Sequence, residues 1–172
     1  MCSSDLELYG LCGANLYRYT RFFDGWHRHP VLDAGPEGSG KFLKVLDTGN
    51  ARHVVVATRR AASNAFPKGA LRVEVVTLDD EGALRHQVVV ADAADAEIVD
   101  AHLDEGGQVL ITVRQEGLHA VSVYRVGSGD MTSQTFNDIY IDTDVLPGPA
   151  GKFMMVRRDE VNHRILVHTL TP

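Results

Sequence analysis

Between residues 98 and 136 the chain reads IVDAHL (Ile98–Leu103), DEGG (Asp104–Gly107), QVLITVR (Gln108–Arg114), QEG (Gln115–Gly117), LHAVSVYRV (Leu118–Val126), GSGD (Gly127–Asp130) and MTSQTF (Met131–Phe136). Four short runs rich in β-branched residues are separated by clusters of Gly, Asp and Glu, which is the pattern of strands joined by tight turns. The second run is apolar at consecutive positions, Val109-Leu110-Ile111, as expected of a strand covered on both faces. The fourth run is polar, as expected of a strand that meets solvent. Four strands in some 45 residues, the inner ones aliphatic and the last one polar, are the mark of a β-propeller blade.

The same unit continues in both directions. Upstream, Phe42–Asp47, His53–Arg59, Leu71–Leu78 and Leu84–Val90 supply four strands, with Thr48-Gly49-Asn50 and Asp79-Asp80-Glu81-Gly82 as turns. Downstream, Ile139–Leu146, Lys152–Arg158 and His163–Leu170 supply three, so the final copy lacks its fourth strand. Before residue 42 the signal weakens. Leu8–Cys12 and Leu16–Phe22 read as two strands of an earlier blade, and residues 33–41, with their glycines and Pro36, read as a linker-like loop. No segment carries the sustained i, i+3, i+4 spacing of a long helix, and the alanines of Ala91–Asp95 are too few to hold one. The expected fold is all-β: a partial propeller of three to three and a half four-stranded antiparallel blades, with 7–32 a partial first blade and 42–172 three consecutive blades.

The composition narrows the function classes. With 172 residues, 44% of them hydrophobic and 23% charged, the chain has the make-up of a globular domain. A formal net charge of −6 argues against general nucleic-acid binding, which favours a basic surplus. No apolar run approaches the ~20 residues of a membrane-crossing helix. Cys2 and Cys12 are too few for a disulfide framework or a thiolate metal site, which points to a reducing, intracellular compartment. Met1-Cys2-Ser3-Ser4-Asp5-Leu6 matches the translation of a common sequencing adapter. Residues 1–6 are therefore expected to be non-native, and the rest a fragment whose end blades would be left bare.

Three stretches imitate active sites. Gly35-Pro36-Glu37-Gly38-Ser39-Gly40-Lys41 fits the phosphate-cradling pattern, but Phe42 stands where a Ser or Thr should bind magnesium and no helix follows. Gly35, Gly40 and Lys41 are accordingly read as a decoy, and no cofactor is expected. Trp26-His27-Arg28-His29 places two histidines on one face of a strand, but no third ligand is near and the stretch reads as a surface strand. Asp100, Asp104 and Glu105 read as solvated turn and strand carboxylates rather than an acid–base pair. No G-x-S-x-G, H-E-x-x-H or C-x-x-C is present.

From Glu97 to Ile111, where a strand ending in an acidic turn runs into an aliphatic strand, the chain resembles the C-terminal propeller part of subunit 4 of the anaphase-promoting complex. The closing stretch is similar to that family's last blade: the Gly151-Lys152 turn, the apolar Phe153-Met154-Met155-Val156, the charged hairpin 157–162 and Arg164-Ile165-Leu166-Val167. The usual Trp-Asp pair of WD repeats is missing, Trp26 being followed by His27. The resemblance implies a WD-repeat-like, non-catalytic scaffold in a ubiquitin ligase, working with other protein subunits in the nucleus or cytoplasm, without nucleic acid or membrane. The alternatives are an unrelated propeller interaction domain and a lactonase-like propeller hydrolase, for which Asp47, Asp100 and Asp142 are the carboxylates that would gather around a central metal. A nucleotide-binding ATPase, resting on Lys41, is the last reading.

Overall fold

The computed structural model describes residues 7–33, 38–60, 69–94, 96–104, 106–115, 120–127, 130–137, 143–147, 152–159 and 161–170. They are strands and turns throughout. β1 (Glu7–Cys12), β2 (Asn15–Phe22) and β3 (Gly25–Leu32) form a first sheet, and β4 (Ser39–Asp47), β5 (Arg52–Arg59), β6 (Ala70–Leu78) and β7 (Leu84–Ala94) a second. The third holds β8 (Ala96–Leu103), β9 (Val109–Gln115), β10 (Ala120–Val126) and β11 (Met131–Phe136), and the fourth β12 (Thr143–Pro147), β13 (Phe153–Asp159) and β14 (Arg164–Leu170). Every sheet is an antiparallel meander in which spatial order follows chain order, the connectivity of a propeller blade. The all-β class and the four-stranded repeat expected from the sequence are what the structure shows.

Three boundaries differ from expectation. Residues 33–41 are not all loop, because β4 already begins at Ser39: Ser39 pairs with Arg59 and Gly40 with Thr58, leaving Lys41 at a bulge. The Gly40 amide also donates to the Gly13 carbonyl at 2.6 Å, an approach that a side chain at position 40 would obstruct. The surface strand read at Trp26–His29 is longer, Gly25–Leu32, and is the third strand of the first sheet. β7 runs on through Ala94, since residues 91–94 pair with residues 70–73 and sheet pairing overrides the helical leaning of the alanines. Residues 1–6, the start of the expected strand at Ile139, and Leu118 lie outside the described residues.

The chain divides into two compact units, Met1–Ala94 and Asp95–Pro172. In the first, Leu16 and Leu32 pack with Val54, Val56, Val76 and Leu78, flanked by Tyr9, Leu11, Val31 and Leu43. Each such buried aliphatic side chain contributes about 1.5–3 kcal/mol. Val54, Val55, Val56 and Ala57 are all fully buried, so β5 is covered on both faces, as its unbroken apolar run implies. In the second unit Leu110, Val121 and Val123 form a smaller core with Phe136 and Met155, and β9 is buried from Val109 through Val113.

Two of the turns are the same object. At Asp79 and at Asp104 the backbone amide donates to the carbonyl four residues on (Ala83, Gln108), and the backbone carbonyl accepts from a glycine three residues on (Gly82, Gly107). The Asp Oδ1 accepts two further amides in each case: those of Glu81 and Ala83, and those of Gly106 and Gln108. Gly82 and Gly107 have φ of 79° and 75°, which explains glycine at both sites.

Candidate functional site: the outer face of the first sheet

Side chains alternate across a strand, and residues paired in an antiparallel sheet share a face. In the first sheet Tyr9, Leu11, Leu16 and Leu32 point into the core. The opposite face is set by three rows: Leu8–Tyr19–Arg28, Gly10–Tyr17–Pro30 and Arg21–Trp26. Leu8 is 51% and Trp26 44% exposed; Arg21, Arg28 and Pro30 are exposed as well, and the two tyrosines half-buried. The face therefore presents two tyrosines, the chain's one tryptophan and two arginines to solvent, and none of its residues is acidic.

Tyr17, Tyr19 and Arg28 are in contact with one another through Tyr17. The Tyr17 and Tyr19 ring centroids lie 6.5 Å apart with the planes at 54°. The Arg28 guanidinium carbon sits 4.7 Å from the Tyr17 centroid, within cation–π range. Tyr19 lies across Gly10, where a β-carbon would meet the ring at 3.3 Å. Beyond Trp26 the β2–β3 hairpin ends in Phe22, 56% exposed, and the fully exposed Phe23. Phe22 packs edge-on against His27 at 4.9 Å, and His27 Nε2 bonds Asp24 at 2.9 Å. That hydrogen bond holds the Asp24 carboxyl below the usual carboxylate range.

The residues singled out from the sequence are placed elsewhere or engaged. Lys41 lies in β4 and the Gly40 amide is taken by Gly13, while Gly35 lies outside the described residues. His27 is bonded to Asp24, and His29 Nε2 to the Thr20 hydroxyl at 3.0 Å. Asp47 accepts the Gly49 amide at 2.7 Å, with Arg52 Nε at 3.6 Å. Asp100 accepts the Ala101 amide at 2.7 Å and lies 3.0 Å from His102 Nε2. Asp104 serves its turn and faces Arg125 Nε at 3.4 Å. Asp142 and Glu105 lie outside the described residues. Among the described residues no three His, Cys, Asp or Glu are grouped to hold a metal ion.

Two polar clusters escaped the sequence reading. Glu7 pairs with both Arg18 and Arg52, and Arg18 Nη1 donates to the Glu81 carbonyl at 2.6 Å, tying the first sheet to the second. Glu74, buried on β6, accepts from Arg72 and Gln87, each at 2.9 Å. The outer face itself left a signal in the sequence: Tyr17-x-Tyr19-x-Arg21 and Trp26-x-Arg28-x-Pro30 alternate with period two in adjacent strands.

No protein-family model and no curated protein matches the chain, so the likeness to subunit 4 of the anaphase-promoting complex rests on the quoted stretches alone. Among solved structures the chain is similar to the WD40 domain of SCAP from fission yeast, at 8% identity and a TM-score of 0.29 over 96% of this chain, which spans 61% of that chain's length.

Proposed function

We propose that this chain is a non-catalytic protein-interaction scaffold, built of propeller blades, that engages a partner protein through the outer face of its first sheet. The observation that carries the reading is the make-up of that face: exposed Trp26, Arg21 and Arg28 beside half-buried Tyr17 and Tyr19, with Tyr17 in contact with both Tyr19 and Arg28. Trp, Tyr and Arg dominate the energetic centres of protein interfaces: the two rings offer large contact areas with few rotamers to freeze, and the guanidinium offers a planar fork of donors. The buried faces of the second sheet are mostly Val, Leu and Ala, with Thr58 and Glu74 and no aromatic residue among them, so this face differs in chemistry from those layers.

The finer reading is that the chain is a piece of a ubiquitin-ligase subunit of the anaphase-promoting type, acting inside the cell. The stretches 97–111 and 148–170 support it. Co-expression with the other subunits of that complex, followed by size exclusion, tests it: the chain should co-migrate with them. Tyr19→Ala and Trp26→Ala should each weaken the association by about thirtyfold or more, the loss typical of an interface hot spot, while the thermal melt stays in place. Association that survives both substitutions refutes the assigned face, and failure to co-migrate refutes the assigned complex.

A further inference from the structure

We infer that the occupant of this face is an extended, proline-containing segment of the partner, flanked by acidic residues; the inference rests on the scaffold reading above. β2, the strand that carries both tyrosines, is paired on both sides, by β1 and by β3. A ligand lying over it cannot extend the sheet there and must bind through rings and side chains. Proline-rich segments bind in this way. The polyproline helix needs no backbone partner, keeps its form unaided and packs its rings on aromatic surfaces. That helix has three residues per turn and rises about 3.1 Å per residue, so residues two apart lie on adjacent ridges at an axial separation close to the 6.5 Å between the Tyr17 and Tyr19 centroids, and both ridges can rest on the face. Trp26 extends the aromatic row along β3.

Charge fixes the flanks. Arg21 and Arg28 stand on the face with no carboxylate among its residues, in a chain that carries −6 overall. Arg28 is already stacked on Tyr17, so little freedom remains for it to lose when a carboxylate arrives. Arg21 is exposed at the end of β2, opposite Trp26. A segment with acidic residues at both ends of a proline run would meet both guanidiniums while its rings pack against Tyr19, Trp26 and the part of Tyr17 that Arg28 leaves open.

The experiment titrates the full chain with a short oligoproline peptide bearing glutamates at both ends, followed by the emission of Trp26. Saturable binding is expected. It should weaken about tenfold or more when serines replace the prolines, and likewise in the Arg21→Glu/Arg28→Glu variant. That variant should prefer the same peptide with lysines at its ends. Equal binding of the serine peptide overturns the inference, because charge alone would then suffice. It is also overturned if the emission responds to vesicles containing phosphatidylserine but not to the peptide. If neither probe binds while Tyr19→Ala still breaks the association with a partner protein, the occupant is a folded surface: the proline inference falls and the scaffold reading stands. If Tyr19→Ala leaves that association intact, both fall.

Discussion

Replacing Glu74 by alanine should destabilise the first unit by about 3 kcal/mol. The carboxylate is buried on β6 among valines, with Val56 and Val89 as its strand neighbours. Its Oε1 accepts from Arg72 Nη2 and Gln87 Nε2, each at 2.9 Å. A hydrogen bond to a charged group is worth about 1.5–3 kcal/mol, and breaking a buried ion pair costs about 3–5 kcal/mol. Two features pull the figure to the lower end. The Arg72 side chain is 29% exposed and regains some hydration, and Asp92 Oδ2, already 2.7 Å from Arg60, lies only 3.8 Å from Arg72 Nη1. Glu74→Gln keeps a carbonyl acceptor and the shape, and should cost about 1–2 kcal/mol. The double variant Arg72→Met/Glu74→Leu replaces the pair with apolar volume and should recover most of the loss. Urea unfolding read by Trp26, which lies in the same unit, ranks the three. Should Glu74→Ala fall within about 0.5 kcal/mol of the parent, or the double variant be no more stable than Glu74→Ala, the pair does not hold the sheet as argued.

Glycine positions separate strain from collision. Gly69→Ala puts a β-carbon against the Arg60 carbonyl at φ 77°, whereas Gly49→Ala, at φ 82°, meets nothing within 4 Å; Gly49→Ala should cost about 1–2 kcal/mol and Gly69→Ala clearly more, by the same urea assay. Burial lowers the His53 pKa below its unfolded value of 6.5. The unfolded chain therefore binds the proton first, and stability should fall as pH drops below about 6.5, with a flatter profile for His53→Gln in thermal melts across pH 5.5–7.5. Within the described residues β14 pairs only with β13, and it exposes Ile165 (70%) and Val167 (58%). Ile165→Lys/Val167→Lys should therefore lower concentration-dependent light scattering, and unchanged scattering would exclude that edge as the route of association.

The meander was legible because its signals are local. Val54–Ala57 is apolar at every position and Val109–Val113 at every position but Thr112, and both runs are buried throughout, as in a strand covered on both sides. Asp79 and Asp104 each precede a glycine by three residues, and each turn closes on its own Asp side chain. Ser39–Lys41 was misread because its strand character comes from afar, from Arg59, Thr58 and the Gly13 carbonyl. Glu74 was missed for a similar reason. A glutamate inside a valine run looks like a solvent-facing position until Arg72 and Gln87 are placed beside it. The outer face was half legible. Trp26–His29 reads as a surface strand, but the ring-on-arginine contact needs the β2–β3 register from Tyr17–Pro30 to Phe22–Gly25, which neither strand shows by itself.

Since each described strand pairs only with its neighbours in the chain, each of these sheets can complete itself from residues already synthesised, without waiting for a distant segment. Loop closure spans only a few residues at the Asp79 and Asp104 turns, so the entropy of bringing strands together is met early and in small steps. A nascent chain leaving the ribosome could thus assemble sheet after sheet in the order of translation. The same topology lets a gene lengthen or shorten by whole sheets, because no connection would have to be rerouted when one is duplicated or lost.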